Sequence, residues 1–397
     1  MRAGELQNAF PYFQPIVRRD DANVFAYEVL GRIEREGKVY SLGPFFEDPA
    51  IPDAEKLAID LIIREKAFAT YAAEERKAKL VINLKPSWVF NCSDASSKAH
   101  TLKLIEKYNL DPTNIVIEIT EEELLGDMDK FSRLVSQYRK AGCMLAIDDF
   151  GKGASSIDRI AYLTPDIIKI DSSIVRQVDQ QRSFFDISNA MSSFGSFSGF
   201  DILFEGIETP YELEACIEAR GRYYQGYIFS KARPKMDGDF ENRELLRGII
   251  AMSQYQTFAR MERRQRIIDE IKNCVQGLYT VAYPTPDSLA LPEALMPLTK
   301  ALPPYCLLCF VCDKFGTEIS YRYGLTHSET IVSDMRGTCW FYNDFFNSGL
   351  YELHSGREAY LSGRYKNVLT KGDVVTYMQP LPGDLCLCVD ILCLDDL

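Results

Sequence analysis

The fold of this chain is decided by residues 115–150, which read IVIEITEEELLGDMDKFSRLVSQYRKAGCMLAIDDF. The apolar, β-branched runs Ile115–Thr120 and Leu145–Phe150 predict two strands, and the apolar spacing within Asp129–Ala141 predicts a helix between them. Neighbouring parallel strands need a crossover of about this length. The segment therefore predicts one strand–helix–strand unit of a parallel sheet.

The same alternation extends from residue 10 to about residue 230. Further strands are predicted at Val24–Leu30, Leu80–Leu84, Ile167–Asp171, Ile202–Ile207 and Tyr223–Phe229, and further helices at Ala54–Tyr71 and Tyr211–Ala219. About seven or eight such units in roughly 220 residues favour an α/β fold, a (β/α)8 TIM-like barrel. A doubly wound sheet is the alternative, but no glycine-rich dinucleotide loop follows an early strand.

The composition changes after the barrel, and we predict a barrel domain over 1–240, one or two connecting helices over 241–275 and a smaller α+β domain over 276–397. Asn242–Ile271 contains no proline and one glycine, and its apolar residues recur at helical spacing. Beyond it, the short alternating runs that predict an antiparallel sheet are Cys306–Cys312, Glu318–Tyr323, Asp373–Gln379 and Leu385–Leu392.

The charge and hydropathy of the 397 residues limit the function classes. A formal net charge of −12 argues against binding to a nucleic-acid backbone, so neither DNA nor RNA is expected as a partner. There is no run of about 18 apolar residues and no apolar segment at the N-terminus, so we expect no membrane insertion and a cytoplasmic location. An acidic chain that handles a phosphate ligand needs a metal or a local basic pocket.

Eleven cysteines raise the question of a metal site in the second domain. Cys306, Cys309 and Cys312 have the spacing of zinc ligands. In a regular strand, however, Cys306 and Cys312 would face one side and Cys309 the other, so the three thiolates could not converge. Buried, reduced cysteines are the favoured interpretation.

In the first domain, nearly every predicted strand ends in polar or charged residues: Glu28, Asn83, Glu118, Asp148, Asp149, Lys169, Asp171, Glu205, Glu208 and Gln225. The carboxyl ends of barrel strands are where active sites are built. Carboxylates that converge there repel one another unless cations neutralise them, and oxygen ligands select Mg²⁺ or Mn²⁺. The adjacent Asp148 and Asp149 suit a two-metal site, and a lysine among such ligands could hold or deprotonate an attacking water.

Each of these residues could also have a purely structural role. A single acidic residue at a strand end is usually the N-cap of the following helix, although this reading is weak for the whole set. The loop Gly151–Ser156 is either a simple entry into a helix or a loop that shapes a phosphate or metal site. Spacing alone leaves both choices open.

Taken together, the motifs resemble the EAL-domain family, the phosphodiesterases that linearise cyclic di-GMP. The matching segments, in order, are Gln14-Pro15-Ile16, Glu28-Val29-Leu30 with Arg32, Asn83, Glu118 with Glu121, Asp148-Asp149-Phe150-Gly151, Lys169-Ile170-Asp171, Glu205-Gly206-Ile207-Glu208 and Gln225-Gly226-Tyr227. Each motif is short, but the ordered set is specific. The second domain resembles PAS-like or Cache-like sensory domains, and the domain order resembles that of YkuI-type members of the family.

The resemblance implies hydrolysis of cyclic di-GMP to linear pGpG at a site with two Mg²⁺ or Mn²⁺ ions, regulated by the sensory domain. It implies metal ligation by Glu28, Asn83, Glu118, Asp148 and Asp149. It assigns catalytic roles to Lys169, Glu28, Glu205 and Glu121, and substrate contacts to Gln14, Arg32, Glu208 and Gln225.

Three departures from the family pattern concern the site. Val29 replaces an alanine beside Glu28, and Lys152 and Ala154 replace the usual threonine and tyrosine of the loop after the aspartate pair. The alternative function is therefore a cyclic di-GMP receptor without turnover.

A homodimer is also expected, because an apolar face of the connecting helix needs a cover. The barrel can cover its first part, and the second domain of a partner chain is a plausible cover for the rest. The alternative is a monomer in which the helix packs only against its own domains.

Overall fold

The computed structural model describes residues 6–74, 78–85, 100–120, 128–152, 157–278, 295–324, 332–367 and 371–393. The chain forms two compact units, Met1–Ser253 and Gln254–Leu397. Within the described ranges, no helix combines the length and the apolar character that crossing a membrane requires.

Strands and helices alternate through the first unit. Its strands are β1 (Phe10–Arg18), β2 (Asn23–Arg35), β3 (Lys38–Ser41), β4 (Lys79–Asn83), β5 (Ile115–Thr120), β6 (Met144–Phe150), β7 (Ile167–Ile170), β8 (Asp201–Phe204) and β9 (Tyr223–Tyr224). Its helices are α1 (Gly43–Glu47), α2 (Asp53–Ala72), α3 (His100–Lys107), α4 (Met128–Ala141), α5 (Ile157–Leu163), α6 (Ser172–Val178), α7 (Arg182–Ser198) and α8 (Pro210–Glu218), and the long helix α9 (Arg243–Leu278) begins in this unit.

The strands close into a barrel. From β2 through β4 to β9, each strand pairs in parallel with the next, whereas β1 pairs antiparallel with both β2 and β9. Strand β3 adds a hairpin to β2 outside the closed ring. The barrel prediction is confirmed, with the first strand reversed.

The expectation of a fully parallel sheet is wrong for β1, which the sequence pattern also missed as a strand. Only a short turn separates β1 from β2, far less than a parallel crossover needs, so the two strands must form a hairpin. Arg18 donates from Nε to Asp21 Oδ1 over 3.1 Å in this turn, and Ala22 adopts a positive φ of 52°.

Inside the barrel lies an apolar layer to which each of the eight strands of the closed ring contributes. Its residues are Ile16, Phe25, Ala26, Val81, Val116, Ala146, Ile167, Leu203 and Tyr223. Side chains alternate along a strand, so the next inward-facing position is two residues further along each parallel strand. These positions are the polar strand ends. In the reversed β1 the equivalent position is two residues earlier, at Gln14.

Strands β7, β8 and β9 end earlier than predicted. β8 ends at Phe204 rather than Ile207, because the chain turns at Gly206 with φ +67°. β9 ends at Tyr224 rather than Phe229, since Phe229 N donates to Gly226 O within a turn. Asp171 is the N-cap of α6, accepting from Ser173 N over 2.8 Å, so the capping interpretation is correct for this residue.

The second unit contains an antiparallel sheet, as predicted. Its strands are β10 (Cys306–Asp313), β11 (Arg322–Gly324), β12 (Val332–Ser333), β13 (Tyr360–Leu361), β14 (Tyr365–Lys366), β15 (Asp373–Leu381) and β16 (Leu385–Leu392), and its helices are α10 (Met296–Ala301) and α11 (Asp344–His354). The sheet order is β12-β11-β10-β16-β15-β13, with β14 also paired to β15. The strand predicted over Glu318–Tyr323 is displaced to Arg322–Gly324.

The predicted alternation of the cysteines in β10 is wrong. The register against β16 shifts between Cys306 and Leu308, and this irregularity turns Cys306 to the same face as Cys309. Cys312 lies on the opposite face beside Phe310. All three are buried free thiols, and among the described residues none of them belongs to a group of side chains arranged to hold a metal ion.

The connecting segment is one helix, α9, of 36 residues. Ile267, Ile271 and Val275 pack into the core of their own second unit, so the expectation that a partner chain covers this part is wrong. Met252 and Phe258, in the middle of the helix, are exposed.

The close approach of the backbone at Gly226, which follows β9, leads to a testable prediction. A Cβ at this position would lie 2.0 Å from the carbonyl oxygen of Ile207. Because this oxygen belongs to the backbone, it cannot move aside without shifting the main chain. We expect Gly226→Ala to lower the free energy of unfolding by about 2–4 kcal/mol in urea denaturation. The matched control is Gly248→Ala in α9, where a Cβ meets nothing within 4 Å and alanine should stabilise the helix by about 1 kcal/mol. Equal stability of the two variants would contradict this account.

Candidate active site

The Lys169 ammonium lies in the middle of four carboxylates inside the barrel. Its Nζ is 2.7 Å from Glu118 Oε2, 3.3 Å from Asp148 Oδ1 and 3.9 Å from Glu28 Oε2, and it also contacts Glu205 Oε1. The Lys169 side chain is only 2% exposed. Strands β2, β5, β6 and β7 place four of these residues directly, and Glu205 follows β8.

Burial and charge shift the pKa values of this cluster in opposite directions. Burial, with the neighbouring carboxylates, raises the pKa of Glu118 and of Glu205 well above the ordinary value. Burial alone would also raise the pKa of Asp148, but the Lys169 ammonium and hydrogen bonds hold it below its ordinary value. Burial opposes the charge on Lys169, yet the surrounding carboxylates raise the pKa of Lys169 far above normal. The lysine is therefore a stable cation in this arrangement.

Glu28 is positioned by two amide side chains. Gln225 Nε2 donates to Glu28 Oε2 over 2.6 Å, and Asn83 Nδ2 donates to Glu28 Oε1 over 3.2 Å. Gln14 lies opposite Glu28 in the β1–β2 register and donates to the carbonyl of Ser230 over 3.2 Å. Gln225 and Gln14, which the resemblance assigned to substrate, thus hold the inner wall of the site.

Asp149 points away from this inner cluster. Its φ of +57° turns the chain sharply after Asp148, and Lys152 N donates back to Asp149 O over 3.2 Å. Burial, together with the charge of Asp148, raises the pKa of Asp149 to about 6. Lys152 Nζ lies 3.6 Å from Asp149 Oδ2. The aspartate pair therefore faces two environments, one inside the barrel and one at its mouth.

A cavity of about 460 Å³ opens at this mouth. Its walls include Glu28, Asn83 and Asp149, and they carry four basic side chains: Arg32, Arg64, Lys85 and Lys152. Burial lowers the pKa of Arg32, whose guanidinium lies 5.7 Å from the ring centre of Tyr12. The four acidic side chains Glu28, Glu47, Asp60 and Asp149 also line the cavity, so a phosphate ligand would meet positive side chains here but would still need cations to offset the carboxylates.

Sequence reasoning missed Arg64, which lies on α2 and is 5% exposed. It donates to the carbonyl oxygen of Asn83 over 3.1 Å and to Thr101 Oγ1 over 2.6 Å, and it pairs with Asp60. The available signal was a charged residue within the apolar run of helix Ala54–Tyr71. Arg64 thereby anchors the end of β4 from behind.

Two residues assigned by the resemblance stand apart from this cluster. Glu208 is exposed and lies 4.0 Å from Arg176, away from the cavity lining. Glu121, like Ala154 of the altered loop, lies outside the described residues.

The donor set fits a hard divalent cation. Both carboxylate oxygens of Glu118, with Asp148 Oδ1 and Glu205 Oε1, are buried without a well-directed hydrogen bond. Buried oxygens of this kind need a compensating charge, which Lys169 supplies here and which Mg²⁺ or Mn²⁺ would supply more fully. A cation among these oxygens requires Lys169 to move aside.

Residues 1–232 match the family model of the EAL domain. Over 391 residues the chain is 24% identical to the uncharacterized EAL-domain containing protein YkuI of Bacillus subtilis, covering 97% of this chain and 95% of YkuI. The crystal structure of B. subtilis YkuI in complex with c-di-GMP and calcium superposes with a TM-score of 0.87 at 23% identity, over 98% of each chain. That superposition shows a shared fold across both units.

Two further relatives match over the barrel. The cyclic di-GMP phosphodiesterase NbdA of Pseudomonas aeruginosa is 27% identical over 231 residues, which cover 56% of this chain and 29% of NbdA. The complex of Klebsiella pneumoniae BlrP1 with manganese and cyclic di-GMP matches at 28% identity with a TM-score of 0.52, covering 57% of this chain and 56% of BlrP1. The chain thus spans less than a third of NbdA's length.

The geometry makes a prediction about Lys169. In Lys169→Met, four buried carboxylates lose their common cation, so in the presence of a chelator we expect the free energy of unfolding to fall by about 3–5 kcal/mol. Mn²⁺ should restore much of this loss, because a cation that binds only the folded state stabilises it.

Thermal and urea unfolding with and without Mn²⁺ measure both effects. The matched control is Lys107→Met, which removes an exposed ion pair with Glu65 and should change stability by no more than about 1 kcal/mol. A Lys169→Met protein as stable as this control would contradict the assignment.

Proposed function

The chain belongs to the EAL domain family, and on that premise we propose that it hydrolyses cyclic di-GMP to linear pGpG with divalent cations. The observation that carries the proposal is the carboxylate cluster around Lys169, which adjoins a cavity lined by arginine and lysine side chains. A cyclic dinucleotide presents two phosphodiester anions, which suit both parts of this site. NbdA supports the reaction, and the BlrP1 complex supports manganese as a cation.

The metal ligands are those that the family resemblance implies, and their oxygen donors suit hard cations. Glu28, Asn83, Glu118 and Asp148 would hold one cation, and Asp149 would join it to a second. Bound divalent cations supply polarisation of the phosphodiester and a lower pKa of bound water.

The protein's own residues divide the remaining work. Lys169, whose Nζ lies among these carboxylates, would hold the attacking water through Nζ. Glu205 Oε1 contacts Lys169 Nζ, so this carboxylate would orient the lysine and complete the cation shell. Gln225 keeps Glu28 in place, and Arg32 at the cavity wall contacts a phosphate or a guanine.

The matching prediction concerns Asp148. We expect Asp148→Asn to weaken Mn²⁺ binding and to lower the hydrolysis rate by more than about 100-fold, since even outer contacts of a metal site are worth 10- to 100-fold. Chromatography of cyclic di-GMP and pGpG after incubation with Mn²⁺ measures the rate. Asp186→Asn, which alters an exposed ion pair with Arg182, serves as the control. Unchanged hydrolysis in Asp148→Asn would overturn the ligand assignment.

A receptor without turnover is the second candidate function. The feature that favours it is the altered loop, with Lys152 beside Asp149. The same incubation separates the two functions, because a receptor binds cyclic di-GMP in the presence of Mn²⁺ and forms no pGpG.

We further propose a homodimer in which the second unit, as a PAS-like sensory module, regulates the barrel. Supporting this, α9 exposes Met252, Tyr255, Phe258 and Met261, whose burial would be favourable. A ligand of the second unit could then shift the barrel pair if it bound the two states unequally.

Sedimentation of the full chain at micromolar concentrations should show a dimer, and Phe258→Glu should shift it toward monomer because a charge would be buried in the contact. Asp344→Lys, a charge change outside this stretch of α9, is the control. A monomer at every concentration would contradict the proposal.

A further inference from the structure

The turn after β6 brings a lysine to the outer carboxylate of the site. Gly151 adopts a φ of +94°, and Lys152 N donates to Asp149 O over 3.2 Å, so the turn folds the Lys152 side chain back. Its Nζ lies 3.6 Å from Asp149 Oδ2, and both residues line the same cavity of about 460 Å³. A positive charge therefore stands at the carboxylate that faces the mouth of the barrel.

The inner carboxylates and the outer carboxylate of Asp149 are paired with different lysines. Asp148 lies with Glu118 and Glu205 around Lys169. Within the part of the chain that the structure describes, the only cationic group within 4.0 Å of the Asp149 carboxylate is Lys152. A second divalent cation would use that carboxylate, so the ammonium and the cation would compete for one group.

We propose that Lys152 competes with the second divalent cation for Asp149, so that the site binds one cation tightly and the second weakly. This inference rests on the proposed function. A singly charged ammonium satisfies the carboxylate and repels an approaching divalent ion.

The expected effect of Lys152 on the affinity for the second cation depends on the solvent exposure of Lys152 and Asp149. The Lys152 side chain is 59% exposed and that of Asp149 is 30% exposed. Ion pairs in such surroundings are weak and the lysine can swing into solvent, so it biases the second cation without excluding it. We expect the dissociation constant of the second cation to be about three- to tenfold higher than without Lys152.

The test compares wild type with Lys152→Met, which keeps most of the stem and removes the charge, and Lys152→Arg, which keeps the charge. Mn²⁺ is titrated into each full-length protein by calorimetry, and electron paramagnetic resonance distinguishes isolated from paired Mn²⁺ ions. In Lys152→Met the second Mn²⁺ should bind about three- to tenfold more tightly, with the first unchanged and paired ions appearing at lower Mn²⁺ concentration. Lys152→Arg should behave as wild type.

Cyclic di-GMP binding, measured in chelator and again with Ca²⁺, separates failure of this inference from failure of the proposed function. If wild type binds cyclic di-GMP and Mn²⁺ but Lys152→Met leaves the second Mn²⁺ affinity unchanged, only the role of Lys152 is overturned. A tenfold loss of cyclic di-GMP affinity in chelator for Lys152→Met would instead identify Lys152 as a phosphate contact. That result would also overturn its proposed competition with the second cation. Wild type that binds neither ligand would overturn both proposals.

Discussion

The contact of one buried lysine with four carboxylates is the interaction on which the centre of the barrel depends. Glu118 and Lys169 are almost completely buried, and unpaired charges in such a place would be very costly. Counted as ionised, the four carboxylates would exceed the charge of Lys169 by three, and burial together with this excess raises the pKa values of Glu118 and Glu205. The same excess of carboxylates makes the cluster receptive to divalent cations, so stability and metal binding are linked at one point.

The barrel itself explains why these groups meet. Each strand buries an apolar residue in the lower interior layer, and the alternation of side chains lifts the next inward residue to the carboxyl end. Closure then brings positions from distant parts of the sequence together, such as Glu28 and Gln225. Gln14 joins the polar layer from the opposite direction because β1 is reversed. The apolar layer below excludes water from the underside of the cluster and so strengthens its electrostatic interactions.

Around this centre the site is asymmetric. The inner side is buried and holds Lys169, whereas the outer side opens to a cavity where Asp149 meets Lys152. Arg64 ties the cavity wall to the end of β4 through the carbonyl of Asn83. The inner arrangement suits a tightly held cation, and the outer arrangement is where this chain departs from its family. Differences in function among relatives are therefore expected at the outer side.

The alternating strands and helices and the polar strand ends could be predicted from the sequence, because they depend on local patterns of two and 3.6 residues. The family followed from the ordered set of short motifs. The sequence also predicted that Glu28, Asn83, Glu118, Asp148, Lys169 and Glu205 would gather at one end of the barrel, and they do. The reversal of β1 follows from its short connection to β2, and the sequence analysis missed it because β1 was not predicted as a strand. Tertiary structure alone decided the burial of Arg64 behind Asn83 and the turn of Cys306 to the face of Cys309. It also decided that Ile271 of α9 packs into its own second unit. Each of these depends on which residues lie across a closed sheet or a packed core, and a local pattern carries no information about such distant neighbours.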